Sequence, residues 1–155
     1  MARIQGKRRG AGGFTLIELV IATTIMVMLT GLVLPMARVA IRRHKEQELR
    51  YDLKMLRDAI DAYKDAADRG FIQKADSYGY PKNLETLTKG VEMRGGKKLR
   101  FLREVPTDPL TGKAEWGMHS MEDDPESDSF DDTNVWDVYS KADGTGLDGT
   151  RYRTW

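Results

Sequence analysis

The chain has 155 residues, with 25 Lys plus Arg against 24 Asp plus Glu and a net charge of +1. That length allows one globular domain plus an appendage, and the charge balance argues against attachment to nucleic acid by overall charge. With no cysteine, disulfide scaffolds, thiolate zinc centres, iron–sulfur clusters and cysteine nucleophiles are excluded.

Met1 to Gly13 is short, Gly-rich and basic, carrying Arg3, Lys7, Arg8 and Arg9 and no acid. The 24-residue run from Phe14 to Ala37 follows, with Glu18 as its only ionisable side chain. As a helix it reaches about 36 Å, enough to cross a hydrocarbon core of about 30 Å. The basic residues before it predict that the preceding segment stays cytoplasmic and that the C-terminus lies across the membrane. The run is longer than the apolar core of an ordinary signal peptide. Hydropathy alone would make it a plain signal anchor, but two features stand against that reading. Gly12-Gly13, the small-residue site, precedes the apolar run, and a carboxylate lies five residues into it. An acid in a membrane span costs about 2.5–3.5 kcal/mol on insertion scales and marks a functional site by default. Pro35, close behind Gly31, removes a backbone donor and is expected to kink or loosen the helix.

After Ala37 the chain turns polar while the helical period persists. Leu49, Leu53, Leu56, Ile60, Tyr63 and Ala67 fall on one stripe, which predicts an amphipathic helix packed on the chain's own globular part, with a coiled coil as the weaker alternative. The helix is expected to run from about Phe14 to Asp68 and to stop near Gly70. Arg38, Arg42, Arg43, His44 and Lys45 form a basic patch without interleaved aromatics, so lipid head groups or acidic neighbours are expected there and nucleic acid is not. Asn83 to Leu87, with Pro81 just before, predicts a short helix. Leu99 to Pro109 leads into a turn ending at Thr111-Gly112. Lys113–His119 and Asn134–Ser140 read as strands, and Thr150–Trp155 as a third strand or docked tail. The expected fold class is α+β, a long N-terminal helix against a small antiparallel sheet.

Gly13-Phe14-Thr15-Leu16-Ile17-Glu18, behind a basic leader and ahead of a long apolar helix, resembles the class III prepilin signal of the type IV pilin-like superfamily. Leu99-Arg100-Phe101-Leu102-Arg103-Glu104-Val105-Pro106-Thr107-Asp108-Pro109 and Asp137-Val138-Tyr139-Ser140-Lys141-Ala142-Asp143-Gly144 are similar to stretches of the major pseudopilins of type II secretion systems. Those proteins usually carry Trp-Gly-x-Pro after the Asp-Pro turn, where this chain reads Leu110-Thr111-Gly112-Lys113. The resemblance implies a type IV pilin-like fold with a leader at 1–13, a transmembrane and assembly helix at 14–37, an amphipathic stem at 38–69 and a periplasmic head at 70–155. It implies cleavage after Gly13 and N-methylation of Phe14 by a prepilin peptidase, and pairing of Glu18 with the N-terminal amine of a neighbouring subunit. Pro35 is implied to mark a segment that loses helical order in the filament.

The function implied is structural: a subunit anchored in the bacterial inner membrane that polymerises with itself into a pseudopilus supporting protein export. Minor pseudopilins and an inner-membrane assembly platform would be its partners. A type IV pilin or minor pilin of a surface fibre is the nearest alternative, and a signal-anchored binding module or enzyme a remote one. No Walker A sequence, phosphate loop or recognisable Ser/His/Asp set is present, so no catalysis is expected. Major pseudopilins bind calcium in a C-terminal loop. On that pattern Asp143 matches a ligand and Asp148 is a second carboxylate, the alternative being a Gly-rich turn capped by Asp side chains. The acidic stretch Met121–Asp132 reads as a solvated loop rather than a second calcium site.

Overall fold

The computed structural model describes residues 13–124 and 130–155. It contains helix α1 (Leu16–Asp68), helix α2 (Leu84–Lys89), strands β1 (Val91–Glu92), β2 (Lys98–Leu99), β3 (Trp116–His119) and β4 (Asp137–Ser140), and a 3-10 turn at Tyr152–Thr154. Contacts divide the chain into two compact units, one ending at Ala40 and one running Ile41–Trp155.

In the first unit α1 stands alone. Its start is set by Thr15, whose Oγ1 accepts from the Glu18 N–H at 3.3 Å while its carbonyl accepts from Leu19. The Thr23, Thr24 and Thr30 hydroxyls donate to main-chain carbonyls one turn back, at 2.9, 2.7 and 2.8 Å. These threonines therefore satisfy themselves and bring no unmet polar group to an apolar surface. The helix runs through Pro35 without a break. Its missing donor frees one carbonyl, that of Gly31, and a single lost bond does not end a helix flanked by good helix formers.

In the second unit the expected stripe is the core. Leu49, Leu53, Leu56, Ile60, Tyr63 and Ala67 are each at most 2% exposed. They pack with Leu84 and Leu87 of α2, Trp116 of β3, Val138 of β4, and Ile72, Leu102, Val135 and Tyr152. The stripe is thus covered by the chain's own head, as the first of its two sequence readings requires. Helix α1 ends where Gly70, at φ +72, takes the left-handed conformation, with Phe71 N–H bonded to Ala66 O and Gly70 N–H to Ala67 O. This is a Schellman close, for which glycine is preferred. Lys64 and Lys74 hold Asp68 at 2.5 and 2.8 Å.

Asn83 caps α2, its Oδ1 accepting from Thr86 N–H at 3.0 Å. The Leu87 carbonyl accepts from both Phe101 and Leu102, which ties the segment after β2 to this helix. The expected single small sheet is instead two separate antiparallel ladders, β1–β2 with Val91 opposite Leu99, and β3–β4 with Trp116 opposite Ser140. Residues 113–115 and 134–136 lie outside the strands expected to contain them. Asp108 explains the first difference. Fully buried, it accepts from Leu110 and Thr111 N–H and, at 2.5 Å, from the Ser140 hydroxyl. Its own N–H bonds to Lys113 O, so the chain is still turning at Lys113. Asn134, also buried, accepts from Met121 N–H, and Val135 N–H bonds to Pro81 O. Their bonds go to loops instead of a neighbouring strand. Gly117 faces Tyr139, whose ring occupies the space a Cβ would need. Thr150–Trp155 forms the 3-10 turn and one isolated bridge, Thr145 to Arg151, in place of a third strand.

Two measurements check this account. Leu56→Ala should lower unfolding stability in urea by about 2–5 kcal/mol, since it empties a fully buried site. The Asp68 carboxyl lies at about 2, below its ordinary 3.8, chiefly through hydrogen bonds from Lys64 and then Lys74. A carboxylate with a lowered folded-state value stabilises the fold above 3.8 and loses that contribution as pH falls toward about 2. An NMR titration should therefore find its midpoint near 2, and Lys64→Ala with Lys74→Ala should return it toward 3.8.

Candidate functional site

The functional segment is built from the first turns of α1. Gly13 and Phe14 precede the helix, and the Phe14 side chain is 83% exposed. Glu18 lies in the first turn, where a carboxylate is favoured by the unpaired N–H groups and dipole of the helix end. Among the described residues it has no ion-pair partner within the chain. Thr15 and Glu18 have the Thr-x-x-Glu spacing of a capping box, and the Glu18 N–H to Thr15 Oγ1 bond is one half of it. In the sequence Thr15 stands out only as part of the prepilin-like signal, although the capping-box spacing is visible there. Helix growth from Thr15 therefore fixes Glu18 one turn from Phe14.

Behind Glu18 the apolar side chains are open on every described face. Leu16, Met26, Val27, Met28 and Met36 are each at least two-thirds exposed, and Ile17, Leu19, Ile25, Leu29 and Val33 at least half. The segment is long and apolar enough to cross a membrane. Exposed apolar surface this continuous marks a membrane or protein contact. Pro35 is exposed within the same stretch. The leader residues Met1–Gly12 lie outside the described residues.

The expected calcium carboxylates are not brought together as a ligand set. Asp143 is exposed and lines a recess of about 200 Å³ with Gly144, Thr145, Arg151 and Arg153. Asp148 uses Oδ1 to accept from the Thr150 N–H and hydroxyl, and Oδ2 to accept from Arg50 at 2.6 Å. Those bonds, from Thr150 first and Arg50 after it, lower the Asp148 pKa. Among the described residues no group of three His, Cys, Asp or Glu could hold a metal. Calcium takes six to eight oxygens, and these two carboxylates, with Arg50, Arg151 and Arg153 in their surroundings, do not fit it. Within the acidic stretch, residues 125–129 lie outside the described residues. Of the rest, Glu122 accepts from the Tyr78 hydroxyl, Asp123 from Ser120 N–H and Asp131 from Thr133 N–H. Arg42, read in the sequence as part of a basic patch for lipid or neighbours, instead bonds Glu46, Tyr152 and the Thr145 carbonyl.

A long helix with an acid near its start and an uncovered apolar stretch, packed farther along against a small α+β head, is consistent with an α+β pilin-like fold. Residues 8–34 match the prokaryotic N-terminal methylation motif. The chain is also similar to the type II secretion system core protein G of Pseudomonas aeruginosa, 29% identical over 110 residues, which is 66% of this chain and 70% of that protein. No solved structure matches the chain significantly.

Proposed function

We propose that the chain is a structural subunit, cut after Gly13 and N-methylated on Phe14 by a prepilin peptidase, that polymerises into a type II secretion pseudopilus supporting protein export across the outer membrane. The observation that carries this reading is the methylation motif at 8–34, lying on a helix whose apolar surface the chain leaves uncovered. The similarity to a structural secretion protein supports a non-enzymatic role. Arg3, Lys7, Arg8 and Arg9 ahead of the apolar run favour a cytoplasmic leader and a periplasmic head at the inner membrane. Minor pseudopilins and an inner-membrane platform are the partners such a subunit needs.

Assembly follows from two physical terms. In the membrane the apolar surface is solvated by lipid, and in a filament it is covered by the same surface of other copies, so exchange between the two states costs little apolar contact. The polar groups decide the register. Cleavage would leave an ammonium at Phe14, and Glu18 is the one carboxylate in Phe14–Ala37. In an apolar surround each needs the other, because removing one partner of such a pair costs about 3–5 kcal/mol. Within one subunit Glu18 already has its main-chain N–H on Thr15, which leaves its carboxylate for the amine of a neighbour.

Glu18→Gln and Glu18→Ala should both abolish sheared or cross-linked multimers in the native host. Thermal unfolding of the detergent-solubilised head should stay at the wild-type temperature, since Glu18 lies outside the Ile41–Trp155 unit. Multimers at wild-type level from both variants would remove Glu18 from assembly.

A further inference from the structure

The last part of the chain is bound to one face of α1 by a set of charged contacts that neither the motif nor the relative accounts for. Arg42, Glu46 and Arg50 are four residues apart on α1 and so share a face. Arg42 Nε donates to Glu46 Oε1 at 3.2 Å and to the Tyr152 hydroxyl at 3.1 Å, and its Nη2 donates to the Thr145 carbonyl. Glu46 is only 7% exposed. Its two oxygens accept from Leu147 N–H at 3.0 and 3.2 Å, and Oε1 also accepts from the Tyr152 hydroxyl at 2.8 Å. Arg50 Nη2 donates to Asp148 Oδ2 at 2.6 Å, and its guanidinium lies 3.7 Å from the centre of the Trp155 ring. Farther along α1, Arg57 donates to the Asp137 carboxylate and to the carbonyls of Val138 and Trp155.

We propose that the loop Gly144–Gly149 is closed by this arginine latch from α1 and not by a divalent cation. The Thr145 carbonyl and the Asp148 carboxylate are the kinds of oxygen a calcium ion would take. Here a guanidinium is bonded to each. The arginines supply positive charge and fixed donors together, and planar guanidinium donors suit carboxylate and carbonyl acceptors. Glu46 offers its oxygens to a main-chain N–H, a hydroxyl and Arg42, so its charge is neutralised without metal. Asp143 opens onto the recess lined by Arg151 and Arg153, where a second cation would meet like charge. Binding calcium would require Arg42 and Arg50 to leave, exposing the loop's polar groups in the process. The latch stands on contacts inside the Ile41–Trp155 unit and is independent of the filament reading.

The test uses the full chain in detergent, by hydrogen exchange of peptides covering residues 144–152 and by thermal unfolding, in millimolar calcium chloride and in EGTA. Wild-type protection and unfolding temperature should be the same in both. Arg50→Gln should speed exchange in this segment by about two- to fivefold, the range expected on losing a half-exposed ion pair. It should do so equally in calcium and EGTA, leaving exchange in Leu84–Lys89 unchanged. Should Arg50→Gln fail to fold, Asp148→Asn breaks the same pair and is expected to give the same metal-independent loosening. Calcium-dependent protection of 144–152 in the wild type, or unchanged exchange in both variants, would overturn the latch.

Discussion

The structure depends on how one helix disposes of its apolar surface. From Leu49 to Ala67 the stripe of α1 is buried by the chain's own head. From Leu16 to Val39 the described apolar side chains are exposed, and no segment of the described chain covers them. Apolar burial is the dominant favourable term in folding, so the same α1 that holds the head together also presents a surface that only lipid or another molecule can cover. In the proposed filament Glu18, the one ionisable side chain in Phe14–Ala37, would give that non-directional attraction a preferred register.

Within the head, specificity comes from a few buried polar groups. Asp108 fastens the turn after Pro106 to β4 through Ser140, and Glu46 fastens the final loop to α1 through Leu147 and Tyr152. Both carboxylates are buried and hydrogen-bonded, the condition under which burying a charge is tolerated. The exposed helix pairs, Lys54 with Asp58 and Arg69 with Asp65, contribute little by comparison, since such surface pairs are worth about 0–1 kcal/mol.

Much of this was legible in the sequence because it is periodic or local. The span of α1 follows from an apolar run joined to a stripe with helical spacing, and its stop from Gly70. Asn83 announces α2 by its cap. What was not legible depends on distant partners. Strands β1 and β2 have two residues each, too few for alternation to register. Lys113 and Asn134 look like strand ends until Asp108 and Met121 are seen to take their bonding elsewhere. Arg42 reads in the sequence as part of a basic patch and nothing local marks Glu46 or Arg50, because their acceptors and donors lie about a hundred residues away along the chain. The Asp148 bonds to Thr150 are those of the Asp-capped turn that the sequence offers as the alternative to calcium, whereas its Arg50 partner is invisible to local spacing.

The most direct measurement is intact and N-terminal-peptide mass spectrometry of the protein purified from membranes of its native host. A chain beginning at N-methylated Phe14 is the predicted result, since only a processed subunit has the amine that Glu18 would pair with. A chain still carrying Met1–Gly13, in a host whose prepilin peptidase is active, would contradict the account and leave a membrane-anchored domain with no filament to build.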